Sequence, residues 1–215
     1  MPRALLPFVL FVLAPLAMAA PEKWAAAIDK FTESDVATPP PRDAVLFIGS
    51  SSIVKWTSLV RDFPDHTVIN RGFGGSELFD SAHYADRIAV PYAPRLIVVY
   101  AGENDLQNGK TPAAVHASFQ SFVARVHAAL PKTRIAFISI KPSPSRAKIA
   151  DKVVAANALI AATCKADPRL AYIDVHTAML DAHGQPRPEL FVADMLHLNA
   201  AGYALWRPIV AAHLK

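Results

Sequence analysis

Cysteine occurs once in 215 residues, at Cys164, so no intrachain disulfide can form. A lone thiol in an apolar context reads as a buried, inert side chain. Basic residues outnumber acidic ones only slightly, 22 to 18, and the sequence pI of about 9.3 comes from scattered charges. No run of Lys and Arg interleaves with aromatics, so the sequence lends no support to nucleic-acid binding. Internal repeats and low-complexity segments are also missing. Long apolar runs are scarce too. The one candidate, "ALLPFVLFVLAPLA" at 4–17, is too short and too broken by proline for a comfortable membrane span.

That run is instead the core of an export signal. Arg3 supplies a short basic start, and "AMA" at 17–19 offers the small residues that a signal peptidase reads. Residues 1–19 are therefore expected to be a signal peptide cut after Ala19, with an uncleaved anchor as the alternative. Loss of Arg3 takes the formal charge from +4 to +3. About 195 residues remain, enough for one domain with its own core. An exported chain without disulfides fits a bacterial periplasm at least as well as an extracellular space. The sequence leaves the oligomeric state open.

Residues 20–43 carry one amphipathic piece, "KWAAAIDKF", and then "TPPPR", whose prolines stop a helix and stiffen a lead-in. From residue 44 to 215 the pattern is regular. Apolar, β-branched runs at 44–49, 67–72, 95–102, 134–140 and 170–175 have strand length. Helical stretches at 52–62, 76–90, 112–130 and 145–166 separate them, and another covers 199–214. Near-continuous apolar strands alternating with helices predict a three-layer α/β/α sandwich on a five-stranded parallel sheet. A flavodoxin-like order of 2-1-3-4-5 is expected, with function just beyond the carboxyl ends of the strands at the switch point.

Those strand ends hold unusual segments: "GSSS" after the first, "RGFGGS" after the second and "AGENDL" after the third. "DMLHLN" lies near the carboxyl end. Each has an ordinary explanation in helix capping, tight turns or a surface ion pair. Together they meet the needs of acyl transfer. One of three serines can offer a hydroxyl, His197 a base, and Asp194, three residues before it, a carboxylate to orient that base. A glycine N–H from "GFGGS" and the Asn104 amide can face a developing oxyanion.

In order and spacing, these segments resemble the SGNH, or GDSL-type, hydrolases over residues 45–199. "FIGSSS" is similar to that family's first block, and the resemblance places its nucleophile on Ser51. "NRGFGGS" places its oxyanion glycine on Gly75, "GEND" at 102–105 its oxyanion asparagine on Asn104, and "DMLHLN" its acid and base on Asp194 and His197. One departure stands out: Ser50 occupies the position where the family usually has Asp. The resemblance implies a serine esterase that works through an acyl-enzyme, without cofactor or metal. Arg71, Phe73, Glu103 and Trp56 lie near the blocks as possible pocket residues, with packing as the other reading of Trp56 and ion pairing as that of Arg71.

Other signals are weaker. His176, His183, Asp194 and His197 match no zinc spacing. "GFGGS" lacks the Lys-Ser/Thr of a P-loop and the full dinucleotide fingerprint. No lid-length apolar segment and no amphipathic basic helix suggest a fatty substrate, so a short acyl group, acetyl above all, on a carbohydrate or similar polar alcohol is expected. A lysophospholipase or thioesterase is the alternative, and a non-catalytic glycan-binding module is a third reading.

Overall fold

A computed structural model describes residues 21–215; the expected signal peptide at 1–19 lies outside the described residues. Five strands form one parallel sheet: β1 Val45–Gly49, β2 Val68–Gly72, β3 Leu96–Tyr100, β4 Arg134–Ile138 and β5 Leu170–Ile173, in the order 2-1-3-4-5. β1 lies between β2 and β3, with Gly49 opposite both Gly72 and Tyr100. The fold is the expected α/β/α sandwich.

Alternation along each strand divides the core in two. Leu46 and Ile48 of β1 and Ile97 and Val99 of β3 face one layer, and Val45, Phe47, Leu96 and Val98 face the other. Every residue of β1 and β3 is buried, as strands covered on both faces require. The first layer contains α1 (Ala25–Ala37), α4 (Leu78–His83), α5 (Ala85–Ile88), α7 (Pro112–Ala129) and α8 (Ala150–Ala166). The second contains α2 (Ser51–Val54), α3 (Leu59–Asp62) and α9 (Ala200–Ala211). A short helix, α6 (Glu103–Gln107), follows β3 directly.

Helix boundaries depart from the sequence pattern in instructive ways. The stretch 52–62 splits into α2 and α3 because Trp56 turns inward between them. Its indole N–H donates to Asp62 at 2.6 Å, as Ser58 does. The lead-in before the prolines is a full helix, α1, tied to the body through Trp24 and Asp35. Residues 174–199 contain only two 3₁₀ turns and two isolated bridges, Leu180–Pro186 and Phe191–Leu198. No helix among the described residues is long and apolar enough to cross a membrane. Cys164 is buried, and burial pushes its thiol up to about 12.

Candidate active site

The turn out of β1 is built around a close approach. Gly49 has φ of +141°, and a Cβ there would lie 1.8 Å from the Tyr100 carbonyl oxygen, so only glycine fits. The Ser50 N–H then donates to that same oxygen at 3.0 Å. Ser50 is the residue before α2, and its carbonyl accepts from Ile53 and Val54. Ser50 and Ser52 are buried, and the Ser52 carbonyl accepts from the Tyr203 hydroxyl at 2.9 Å. Ser51, between them, is the half-buried one.

Its hydroxyl oxygen lies 3.0 Å from His197 Nε2, across 146 residues of chain. On the far side of the ring, His197 Nδ1 is 2.6 Å from Asp194 Oδ2. Asp194 Oδ1 accepts the N–H groups of Leu196 and His197 at 2.9 and 2.8 Å, so one carboxylate shapes the turn and holds the imidazole. The His197 side chain, then the His197 and Leu196 N–H groups, keep Asp194 well below the usual carboxylate range. The turn is tight enough to put Met195 at φ +53°. Asn199 closes it by capping α9, accepting from the Ala201 and Gly202 N–H groups.

Two loops approach from the other side. Gly75 has φ of +80° and packs under Trp24, whose ring would stand 3.3 Å from a Cβ there. Neither the Gly75 nor the Ser51 N–H finds an acceptor among the described residues. Asn104, on the first turn of α6, donates from Nδ2 to the Ser76 carbonyl at 2.9 Å, which joins the two loops. A serine oxygen with an imidazole on it and N–H donors beside it can carry nucleophilic attack on a carbonyl. Ser51, His197 and Asp194 thus form one line of contacts at the carboxyl end of β1, and Asn104, after β3, is joined to the loop that carries Gly75.

The pocket candidates divide. Trp56 is 1% exposed in an aromatic core with Phe47, Phe63, Tyr203 and Trp206, so it packs inward. Arg71 forms an ion pair with Asp35, donates to the Tyr92 hydroxyl at 2.7 Å and lies over the Phe31 and Tyr92 rings, which fastens α1 to β2. Phe73 is buried edge-on to Trp24. These three are structural, because their polar or aromatic groups are already engaged inward. Glu103 does border a cleft of about 290 Å³, with Lys141, Ser143, Arg146, His176 and Gln185. That cleft abuts the site through Glu103 and Arg146, not through Ser51 or His197.

The Glu103 neighbourhood contains residues that sequence reasoning missed. Lys141 Nζ donates to Glu103 Oε2 at 2.5 Å and to Ser143 Oγ at 2.7 Å; Ser143 donates to Glu103 Oε1 at 2.5 Å, and the Tyr100 hydroxyl to Oε2 at 2.9 Å. Burial opposes ionisation of Glu103, but the charges of Lys141 and Arg146 more than offset it, leaving the carboxyl below its ordinary value. Arg146 Nη2 donates to Asn104 Oδ1 at 3.0 Å. The signal available was a charge directly after each of two apolar strands, Glu103 after β3 and Lys141 after β4, where a parallel sheet is buried. Among the described residues no group of three or more His, Cys, Asp or Glu is placed to hold a metal.

The pattern of the GDSL-like Lipase/Acylhydrolase family matches residues 47–205. The chain belongs to that family. No curated protein matches the sequence. Several solved structures share the fold. A protein described as a platelet activating factor, from Streptococcus pneumonia, is 21% identical with a TM-score of 0.80, over 90% of this chain and 94% of that one. A GDSL-like lipase from Bacteroides thetaiotaomicron is 21% identical with a TM-score of 0.74, over 88% and 97%. A Clostridium thermocellum family 3 carbohydrate esterase is 14% identical with a TM-score of 0.64, over 78% and 92%.

Proposed function

We propose that this member of the GDSL-like family is an exported serine esterase that removes short acyl groups, acetyl above all, from a carbohydrate or similar polar alcohol. The observation that carries the reading is the line of contacts from Asp194 through His197 to Ser51, at 2.6 and 3.0 Å. Ser51 Oγ attacks the ester carbonyl as its proton passes to His197 Nε2, and the carbonyl electrons move to the oxygen. The N–H groups of Ser51 and Gly75 and the Asn104 amide receive that oxyanion. Collapse expels the alcohol, which takes the proton from Nε2. Water, deprotonated by His197, then releases the acid and restores Ser51. Asp194 stays ionised throughout, holding the tautomer and stabilising the imidazolium.

The short-chain preference is supported by the way the amino-terminal helix is used. α1 is docked through Trp24 and Arg71 and is not spare to close over a fatty chain. The polar groups of the Glu103–Arg146 cleft suit a hydroxyl-rich alcohol, and one fold neighbour is described as a carbohydrate esterase. Other neighbours described as lipases keep a longer acyl chain as the alternative. Export rests on the signal-like pattern at 1–19, and would deliver the enzyme to the periplasm or medium.

Fluorophosphonate should label the wild-type protein at Ser51, and Ser51→Ala should lose both the label and p-nitrophenyl acetate hydrolysis while keeping its circular dichroism. Label elsewhere, or an active Ser51→Ala protein, would defeat the reading; so would a protein that binds glycan but takes no label. A series of p-nitrophenyl esters from acetate to palmitate, run beside acetylated xylan and pectin fragments, tests the acyl length. A maximum at eight carbons or more with no acetate released would favour the lipase alternative. Amino-terminal sequencing of protein recovered outside the cytoplasm should begin at Ala20.

A further inference from the structure

We propose that Arg146 is a positioning residue for the Asn104 side chain. The inference rests on the reading of Asn104 as an oxyanion donor. An asparagine amide has two nearly isosteric orientations, and only one aims its NH₂ at the reaction centre. Here the two ends are fixed by unlike partners. Nδ2 donates to the Ser76 carbonyl at 2.9 Å, and Oδ1 accepts from Arg146 Nη2 at 3.0 Å. A flipped amide would set oxygen against the carbonyl and NH₂ against the guanidinium, repulsive at both ends. With one Nδ2 hydrogen on Ser76, the second is left for substrate. The charged donor on Oδ1 also polarises the amide, which makes that second hydrogen a stronger donor.

Arg146 is itself held firmly. Its side chain is 14% exposed, its Nη1 lies 3.8 Å from Glu103 Oε1, and its backbone N–H donates to the Ser143 carbonyl at 2.9 Å. Glu103 is in turn fixed by Lys141 and Ser143. The same turn reaches the other side of the site: both the N–H and the hydroxyl of Ser145 donate to the Met195 carbonyl, at 3.1 and 3.0 Å. One segment, 141–146, thus braces the asparagine on one side and the Asp194–His197 turn on the other.

The test is a cycle of four proteins: wild type, Asn104→Ala, Arg146→Met and the double variant. Each is assayed for ester kcat and KM and for the rate of fluorophosphonate labelling. Arg146→Met should lower kcat about ten- to a hundredfold with KM within about threefold, less than the 10²–10³ that a lost oxyanion donor costs. In the Asn104→Ala background the same change should cost no more than about twofold, because Arg146 acts through Asn104. Losses that multiply in the double variant would overturn the inference, as would a rise in KM at unchanged kcat, which would make Arg146 a substrate contact. If Arg146→Met does not fold, Arg146→Lys keeps the charge beside Glu103 without the planar fork and is judged by the same cycle. A wild-type protein that takes no label at Ser51, or an Asn104→Ala protein with full kcat, removes the underlying reading. Both are seen before any Arg146 variant is compared.

Discussion

The two sides of the site are built differently. The Asp194–His197 side is local and open: four residues, one carboxylate, three hydrogen bonds within the turn, and an Asp194 side chain 47% exposed. The Asn104 side is dispersed and dry. It draws on Ser76, Glu103, Lys141, Ser143 and Arg146 from three strand ends, with Lys141 1% exposed. A base must meet water and expel an alcohol, so its side can face solvent. Oxyanion donors gain from exclusion of water and from not having to reorganise. The contrast predicts that damage to the first side costs rate but little stability, and that damage to the second costs both.

Asp194→Asn should have the largest effect on rate. The amide offers N–H groups where the imidazole needs an acceptor, which favours the wrong tautomer and costs up to about 10⁴ in kcat. The melting temperature should move little, because the side chain is half exposed. A large loss of stability alongside would erase the contrast. Lys141→Met should act the other way. Removing Lys141 from the buried ion pair leaves Glu103 with only Arg146, 3.8 Å away, to offset its charge, at a cost of up to about 3–5 kcal/mol. Urea unfolding measures it, and a change below about 1 kcal/mol would mean that Glu103 simply takes a proton. Asn104→Ala comes next, losing about 2.7–4 kcal/mol of transition-state stabilisation in kcat/KM, with kcat carrying the loss.

The same contrast explains what the sequence revealed. Strands were legible because a strand covered on both faces reads as an unbroken apolar run, and their parallel pairing because helices fall between them; the 2-1-3-4-5 order was an expectation by analogy with flavodoxin-like sheets. "D-x-x-H" was legible because everything it needs lies within four residues. Helix boundaries were less so: nothing local indicates that Trp56 turns inward to Asp62 and splits 52–62, or that "GENDLQ" continues β3 as a helix. Arg71 and Trp56 each admit a pocket reading and a structural one from their neighbours in sequence, and for Arg71 the partner that bears on the choice, Asp35, lies 36 residues before it. The Lys141–Glu103 pair joins residues 38 apart, and "KPSPSR" reads as a proline-rich loop until β4 places it beside β3.

Asp105 gives the smallest and most specific prediction. It follows Asn104, is fully buried, and accepts the Leu78 N–H at the start of α4 with both oxygens, at 3.2 and 3.0 Å. Lys110 lies 3.9 Å away but is committed to Glu77 at 2.5 Å. Burial, with the Glu77 charge adding to it, pushes the Asp105 carboxyl up to about 7, against the Leu78 N–H and Lys110. A carboxyl raised in the fold keeps a proton that the unfolded chain releases near 3.9. Its contribution to stability is therefore complete below about pH 4, is lost as pH rises to about 7, and stays lost above that. Asp105→Asn keeps an oxygen for Leu78 and cannot ionise, so this part of the pH dependence should vanish. Melting temperatures of the two proteins from pH 4 to 8 should diverge progressively in favour of the variant and stop diverging above about 7. A difference that stays constant with pH would mean that Asp105 is ionised like an ordinary carboxylate, and that the dry side of the site tolerates a second buried charge beside Glu103.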